Sequence, residues 1–239
     1  MSKPPVLLLI HGANGRMGQA LLRLAAGRED LQVVAAVSRR VEQRVQDGVP
    51  RFASRELGGV PAFDVAIDFS LPDGFDGVLA HCVSRGAAFV SGTTGVTDAQ
   101  LAALDRAAER IPVLWAANFS LGVTVLNLLV ERAARDLADW DCDILELHHV
   151  HKRDAPSGTA LALGAAAEQG GATPRYASVR AGDIVGEHTV QFAGIGERIE
   201  LVHRATSRDV FAQGALTAAS RMAGRAPGRY GMRDLLAAG

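Results

Sequence analysis

The chain has only two cysteines, no long apolar run and almost no net charge, and each shortage excludes a class of protein. Cys82 and Cys142 are far apart and have no CxxC spacing, so we expect two reduced, buried thiols instead of a disulfide framework. The first apolar run is only five residues long, too short for a secretory or membrane-spanning segment. A formal net charge of -1 argues against non-specific nucleic-acid binding. We therefore expect a soluble, cytoplasmic protein with no membrane or nucleic-acid partner.

The 239 residues, 48% of them hydrophobic and 21% charged, are enough to form a sizeable core in one or two domains. In the first half, apolar strands alternate with helical segments, which predicts a doubly wound parallel sheet of the Rossmann type. The predicted strands are 6–10, the run from Leu31, 63–70, the run "AAFVSG" and 111–116, and the predicted helices are 16–26, the run "DGFDGVLAHCVSRG" and 98–110.

After Asn118 the pattern changes. A long helix over 122–137 leads to a strand "DILELHH", a helix from Ser157 and a loop over 168–174. Polar and apolar residues then alternate in "HTVQFAGI" and "ERIELVHRAT", which predicts antiparallel strands of a separate sheet before a final helical stretch. We expect an α/β protein with a dinucleotide-binding domain at 1–118 and 217–239. Residues 119–216 should form an α+β domain with a mixed or antiparallel sheet.

A glycine-rich turn follows the first strand. In "IHGANGRMGQALL", Gly12 allows a tight turn, Gly15 allows the backbone to approach a pyrophosphate, and Gly18 permits close helix-strand packing. The start of the next helix presents unpaired N–H groups to the anion. The spacing GxxGxxG alone is a weak pattern, and its place directly after the first strand makes it a candidate phosphate site.

The end of the second predicted strand carries no carboxylate for a ribose 2′-hydroxyl. Its residues are Ser38, Arg39 and Arg40. Because a guanidinium pairs bidentately with phosphate oxygens, we predict that NADPH is preferred over NADH. The alternative is that Arg39 and Arg40 only flank a solvated loop.

Two further strand ends, "SGTTG" and "AANFS", finish in small, hydrogen-bonding residues. Ligands bind outside the carboxyl ends of strands in open parallel sheets, so these segments are candidate walls of a nicotinamide pocket. Ordinary strand-helix turns are the competing interpretation.

The stretch "ELHHVHKRDAPSGTALALG" crowds three histidines and a lysine together. A metal site is disfavoured, because no cysteine or well-spaced acid completes a ligand set and HExxH spacing is absent. A basic surface patch is disfavoured because Asp154 follows at once. Ser157 suits a helix N-cap, and the following Gly158 and Thr159 would present N–H groups to a carboxylate. Lys152, protonated at neutral pH, is the more plausible acid beside this carboxylate site. A strand-to-helix corner with incidental histidines would explain the turn but not the cluster.

From Val6 to Leu236 the chain resembles the dihydrodipicolinate reductase family, which acts in bacterial lysine (diaminopimelate) biosynthesis. The motifs that carry the resemblance are "GANGRMG", "IDFS", "SGTTG", "AANFSLGV", "ELHHVHKRDAPSGTA", "RAGDIVGEHTVQFAGIGERIEL" and "MRDLL". The resemblance implies reduction of a cyclic imine-dicarboxylate by hydride from NADPH or NADH, and a homotetramer joined through the second domain's sheet.

The resemblance also implies site residues. His148 is expected as proton donor or acceptor and Lys152 as proton donor. His149, Ser157, Gly158 and Thr159 are the expected substrate contacts. The expected cofactor-binding residues are Gly12, Ala13, Asn14, Gly15, Arg16, Met17, Gly92, Thr93, Thr94, Ala116, Ala117, Asn118 and Phe119, and the argument from the end of the second strand adds Arg39 and Arg40.

The sequence departs from the family pattern at Ser38, where many members carry an acid, and at Thr124, where many carry Asn. The loop after Glu168 is also short. Two rival functions stay open: another two-domain NAD(P) dehydrogenase using Lys152 as its base, and a non-catalytic dinucleotide sensor.

Overall fold

The computed structural model describes residues 4–236 and divides them into two compact units. One unit contains the described residues up to Phe119 together with those from Phe211 onward, and the other is Ser120–Val210. The second domain boundary predicted from the sequence, between residues 216 and 217, falls inside the helix Asp209–Met222.

The first unit is built on an eight-stranded sheet that is parallel except at one edge. Its strands are β1 (Val6–His11), β2 (Leu31–Ser38), β3 (Val45–Gln46), β4 (Val49–Ala53), β5 (Val65–Asp68), β6 (Ala88–Ser91), β7 (Pro112–Trp115) and β12 (Gly228–Tyr230). The spatial order is β12-β7-β6-β5-β1-β2-β4-β3. From β1 the chain first adds strands on one side, through β2 to β3 and β4, and then on the other side, through β5, β6, β7 and β12. This is the doubly wound parallel sheet that the sequence predicted.

The helices of the first unit begin and end at recognisable signals. They are α1 (Arg16–Ala25), α2 (Pro72–Arg85), α3 (Asp98–Ala108), most of α6 (Asp209–Met222) and α7 (Met232–Leu236). Proline occupies the first position of α2, and Gly86 ends this helix with a φ of 67°. Thr97 and Gln100 form a capping box at the start of α3. Phe75, Phe89 and Leu104 are fully buried in the core between helices and sheet.

The second unit contains a four-stranded sheet with two helices packed on one face. Its strands are β8 (Asp141–His148), β9 (Pro174–Arg180), β10 (Gly186–Gly194) and β11 (Glu197–Ala205), and its helices are α4 (Leu121–Asp136) and α5 (Gly158–Gln169). The order is β11-β10-β8-β9. β10 pairs antiparallel with β11 and β8, as expected, whereas β9 pairs parallel with β8, so the sheet is mixed. Ile144, Val190 and Phe192 face the helices and are fully buried.

The structure adds elements that the sequence did not predict, namely β3, β4, β9 and β12. The predicted loop over 168–174 is shorter than expected, because α5 continues to Gln169 and β9 begins at Pro174. Cys82 and Cys142 are free and buried, as predicted. Within the described residues, no helix has both the length and the apolar character that crossing a bilayer requires.

Candidate active site

The glycine-rich turn after β1 is as tight as its sequence suggested. Gly12 has a φ of +80°, and a Cβ there would lie 2.4 Å from the carbonyl oxygen of Phe69. A Cβ on Gly18 would lie 2.3 Å from the carbonyl oxygen of Gly12, so α1 can approach the turn only with glycine at that position. Gly15 directly precedes α1 at its N-cap. Arg16 and Met17 are the first two residues of that helix.

Beside this turn is a cavity of about 680 Å³ at the carboxyl ends of β1, β2 and β5. Of the cofactor-binding residues predicted from the sequence, five line this cavity: Gly12, Asn14, Gly15, Arg39 and Arg40. Ala13, which follows Gly12, is fully buried and its N–H donates to the carbonyl of Val37. A crevice at this edge of a doubly wound sheet, next to a helix N-terminus, fits a dinucleotide.

Arg39 has a neighbour that sequence reasoning missed. Its Nη2 lies 3.2 Å from Oδ2 of Asp73, a residue in the first turn of α2, and both side chains are 69% exposed. Asp73 also lines the cavity. Asn14 supports the same edge, because its N–H donates to Ser38 Oγ at 3.0 Å and its Nδ2 donates to the carbonyl of Arg40 at 3.1 Å.

A buried carboxylate, Asp68, links the carboxyl ends of neighbouring strands in the first sheet. Its Oδ1 is 2.8 Å from Nδ1 of His11, and its Oδ2 accepts from Ser91 Oγ at 2.9 Å and Thr93 Oγ1 at 2.8 Å. Burial alone would raise the pKa of Asp68, but the hydrogen bonds from His11 and its other neighbours hold it below its ordinary value. An ionised Asp68 therefore ties together the ends of β1, β5 and β6.

The segments "SGTTG" and "AANFS" lie at the carboxyl ends of β6 and β7, as predicted from the sequence. Thr93 is buried, its hydroxyl donates to Asp68, and its carbonyl accepts from Trp115 Nε1 at 2.9 Å. The cavity beside the glycine turn is not lined by these two segments, which comprise Gly92, Thr93, Thr94, Ala116, Ala117, Asn118 and Phe119.

In the second unit, the buried face of β8 carries the acid–base residues. Burial alternates along this strand, so Glu146 and His148 point to the same side, and their exposures are 0% and 8%. Glu146 Oε2 is in a short hydrogen bond with Nδ1 of His148. Glu146 Oε1 accepts from Nη2 of Arg180 at 2.7 Å. Arg180 also donates to the carbonyl of Asp154 at 2.5 Å.

Opposing effects set the charges of this pair. Burial raises the pKa of Glu146, but hydrogen bonds from Arg180, Ser178 and His148 lower it to about 2. An ionised carboxylate can only accept, so Nδ1 of His148 carries the hydrogen and Nε2 is left as the acceptor in the neutral ring. Burial lowers the pKa of His148, and the positive charges of Lys152 and Arg180 add to this, while Glu146 opposes it.

His188 joins the cluster from β10. Its ring packs edge-on against that of His148 with 5.2 Å between centroids, and its Nε2 is 3.2 Å from Ser157 Oγ. Burial, followed by the nearby His148, lowers the pKa of His188 to about 4. Ser157 is the N-cap of α5, as predicted, and its Oγ accepts from the N–H of Ala160 at 3.2 Å.

Lys152 lies in the turn between β8 and α5. Its Nζ is 2.9 Å from Oδ2 of Asp154, and its side chain is 21% exposed. The first two residues of α5 are Gly158, which is exposed, and Thr159, which is half-buried. His149 is half-buried and stacks loosely with His151 at 6.2 Å between centroids. Its Nδ1 is buried and has no hydrogen-bond partner among the described residues.

Glu146, His148 and His188 offer three possible metal ligands within 4.8 Å of one another. This set differs from the three sequential histidines considered from the sequence. Both oxygens of Glu146 already take hydrogen bonds from Arg180 and His148, and Arg180 and Lys152 add positive charge close by. The geometry is therefore that of a hydrogen-bonded acid–base chain, which we call the Arg180–Glu146–His148 chain.

Sequence reasoning missed Glu146, Arg180 and His188 in the second unit and His11 and Asp68 in the first. Glu146 could have been predicted from the sequence, because side chains alternate between faces along the strand "DILELHH" and this puts Glu146 on the same face as His148. Arg180 lies on β9, which was not predicted, and His188 reaches the site only through the pairing of His188 with Glu146 across β10 and β8.

Two family models cover almost the whole chain. The model for the N-terminal part of dihydrodipicolinate reductase matches residues 6–119, and the model for the C-terminal part matches residues 122–236. The chain belongs to the dihydrodipicolinate reductase family. Curated relatives agree: a 4-hydroxy-tetrahydrodipicolinate reductase from Stenotrophomonas maltophilia (strain K279a) is 69% identical over 238 residues, which are 99% of this chain and 100% of the relative. A 4-hydroxy-tetrahydrodipicolinate reductase from Xylella fastidiosa (strain 9a5c) is 63% identical over 230 residues, which are 96% of this chain and 97% of the relative.

Solved structures share the fold of this dihydrodipicolinate reductase family member. A dipicolinate-bound dihydrodipicolinate reductase from Paenisporosarcina sp. TG-14 aligns with a TM-score of 0.80 at 21% identity, covering 95% of this chain and 97% of the other. A DAP dehydrogenase from C. glutamicum, in complex with DAP, aligns with a TM-score of 0.63 at 14% identity, covering 97% and 94%. At these identities the likeness concerns the fold.

Proposed function

We propose that the chain is a 4-hydroxy-tetrahydrodipicolinate reductase that forms tetrahydrodipicolinate, in lysine biosynthesis through diaminopimelate, with hydride from NAD(P)H. The observation that carries this proposal is the Arg180–Glu146–His148 chain next to Lys152 and the start of α5. It combines a buried, oriented acid–base pair with groups suited to an anionic substrate. The family membership and the 69% identity to a curated reductase support the same reaction.

The start of α5 is the proposed binding site for a substrate carboxylate. A helix N-terminus carries partial positive charge, and its first N–H groups have no partner inside the helix. Gly158 leaves the approach open, since a Cβ there would meet nothing within 4 Å. We assign Ser157, Gly158, Thr159 and His149 to substrate binding, with Lys152 adding positive charge.

Lys152 is the proposed proton donor. A lysine ammonium group has three N–H donors, whereas burial lowers the pKa of His148 and favours the neutral ring. His148 then offers Nε2 as an acceptor, and Glu146 fixes its orientation from the other side. When bound, the reduced nicotinamide supplies hydride; the chain's own residues hold the substrate and deliver the proton.

The glycine-turn cavity is the proposed site for the adenosine and pyrophosphate part of the cofactor, and the ends of β6 and β7 for the nicotinamide. NADPH is the preferred form in this proposal, because Ser38 replaces the acid that would bind a ribose hydroxyl. Arg39 and Arg40 add positive charge at the same edge. The test is the ratio of kcat/KM for NADPH and NADH, and equal or NADH-favouring values would contradict the preference.

The reaction itself is tested by following NADPH absorbance with enzymatically generated substrate. We expect turnover in the wild type, and Lys152→Ala and His148→Ala should lower kcat by about a hundredfold or more. Thr159→Ala should instead raise KM. Arg153→Ala, at an exposed neighbouring position, is the matched control and should behave like the wild type.

Other outcomes separate the rivals. Turnover of amino acids without activity on the imine-dicarboxylate would indicate a different dehydrogenase. Binding of NADPH with no turnover of any substrate, and no effect of Lys152→Ala, would indicate a non-catalytic sensor. A cytoplasmic location and a homotetramer joined through the sheet of the second unit complete the proposal.

A further inference from the structure

One guanidinium in the first unit has two buried nitrogens without a hydrogen-bond partner among the described residues. Arg51 lies in the middle of β4 and is 6% exposed. Its Nε and Nη1 are buried, and no described residue accepts a hydrogen bond from them. Two buried guanidinium N–H groups without acceptors are unfavourable, and an anion entering beside Arg51 would supply those acceptors.

Arg51 is in the wall of a second cavity, of about 360 Å³. Asn14 and Ser38 line both this cavity and the larger one beside the glycine turn. The pairing of β4 with β2 explains the position, since Arg51 is opposite Ala36 and Ala53 is opposite Ser38. Arg51 is therefore level with the residue two positions before Ser38, which is the last residue of β2. Residues two apart on a strand share a face, so Arg51 and Ser38 lie on the same face of the sheet.

The end of β2 is where a dinucleotide's adenosine ribose is recognised in this fold. A group attached at the ribose 2′-position would therefore meet Ser38 at the border of the two cavities. The carboxamides of Gln43 and Gln46 are also in the smaller cavity's wall and supply polar groups. The chemistry assembled there, one unpaired guanidinium with neutral donors, suits a phosphate monoester.

Other charged residues at this edge are less suited to that role. Arg39 already pairs with Asp73 and is 69% exposed, so water and a carboxylate weaken its attraction for phosphate. Glu42 also lines the smaller cavity, but it is exposed and forms no ion pair with Arg51. Arg51 has the lower exposure and lacks a competing carboxylate partner.

We propose that Arg51 and the cavity it lines form the binding site for the 2′-phosphate of NADPH, so that Arg51 determines the cofactor preference. This inference rests on the proposed function, because it names the residue responsible for a preference proposed there.

Calorimetric titration of the full chain tests the assignment without relying on turnover. The probes are NADPH, NADH, 2′,5′-ADP and 5′-ADP, and the variants are Arg51→Gln and Arg51→Lys. Arg51→Gln should weaken NADPH and 2′,5′-ADP by about tenfold or more and leave NADH and 5′-ADP almost unchanged. Arg51→Lys should lie between, since it keeps the charge but loses the planar fork. Arg55→Gln, an exposed arginine beside β4 outside both cavities, is the matched control.

Equal weakening of all four probes, or none, would overturn the assignment. If Arg51→Gln does not fold, the Nε–H resonance of Arg51 in the wild type replaces it: 2′,5′-ADP should shift this signal and 5′-ADP should not. If inorganic phosphate alone shifts this resonance to saturation, and 2′,5′-ADP cannot displace the bound phosphate, the cavity is a free-phosphate site and the proposal is also overturned.

The two proposals fail in different ways. A wild type that reduces no dicarboxylate would defeat the reductase assignment, while the two ADP probes would still report on Arg51. A wild type that prefers NADPH in turnover, combined with Arg51→Gln that retains the preference, would defeat only the role of Arg51.

Discussion

Glu146 shows how a single carboxylate can define the chemistry of its neighbour. It is fully buried, accepts from Arg180 at 2.7 Å and holds Nδ1 of His148. Arg180 compensates its charge, so the carboxylate stays ionised with a pKa of about 2. A charged acceptor at Nδ1 fixes the imidazole in one tautomer and one orientation. We infer that Glu146 is a positioning residue that acts through His148.

Glu146→Gln should therefore reduce catalysis without unfolding the protein. The amide keeps the shape of the side chain but loses its negative charge, so the imidazolium form of His148 becomes less stable. We expect kcat to fall by about tenfold to a hundredfold, and the limb of the pH profile that reports His148 to move to lower pH. Steady-state kinetics across pH measure both effects.

Glu109→Gln is the control for that variant, because Glu109 is an exposed glutamate directly after α3 in the first unit. It should leave the rate and the pH profile unchanged. A pH profile of Glu146→Gln that superimposes on the wild type would show that the carboxylate does not act through His148.

The strands and helices differ in how well the sequence revealed them. β1 is almost entirely apolar, β2 contains the apolar run Val33–Val37, and β10 and β11 alternate regularly, so each was predicted close to its observed bounds. β9, "PRYASVR", has neither pattern, because it lies at the edge of the sheet and five of its seven residues are exposed. β12 has three residues at the edge of the sheet, where it pairs with β7.

The residues of the candidate site also differ in how well the sequence alone predicted them. Lys152, Ser157 and the glycine turn are local features, and their surroundings follow from neighbouring residues. His188, Arg180 and Arg51 reach their sites through strand pairing between distant segments, and a single sequence does not specify which strands pair or in which register. Glu146 is intermediate, since the alternation of β8 alone aligns it with His148.

The burial of His188 between β8, β10 and α5 should make the second unit sensitive to mild acid. Its folded-state pKa is about 4, below an ordinary value of 6.5, so between these pH values the unfolded chain binds more protons. The free energy of unfolding should therefore fall as pH is lowered through this window, by about 2 kcal/mol from His188 alone between about pH 7 and pH 5. Denaturant titrations at the two pH values measure the loss.

His188→Gln should flatten this dependence, because glutamine cannot titrate. His148 and His203 also have lowered pKa values caused by burial, so part of the slope should remain. His151→Gln, which removes an exposed histidine from the turn after β8, should leave the slope as in the wild type. An undiminished acid loss in His188→Gln would mean that His188 does not carry it.

The sheet of the second unit has one face under α4 and α5, and its opposite face carries a row of mainly apolar side chains between charged and polar pairs. Leu145, Thr189, Val202 and Ala177 lie in register across all four strands on that opposite face. Val202 is 40% exposed, and Val179, on the same face beside Leu147, is 45% exposed. Contiguous apolar side chains on an open sheet face mark an interaction surface, which agrees with the proposed homotetramer.

Val202→Asp should break that assembly, because it places a charge on a surface that would be buried between subunits. Light scattering coupled to size-exclusion chromatography should give the mass of four chains for the wild type and a smaller species for the variant, with its circular dichroism preserved. Leu129→Asp is the control, since Leu129 is 49% exposed but lies on α4, away from this face. A wild-type mass of one chain, or a tetramer that survives Val202→Asp unchanged, would mean that the open face of the sheet does not join the subunits.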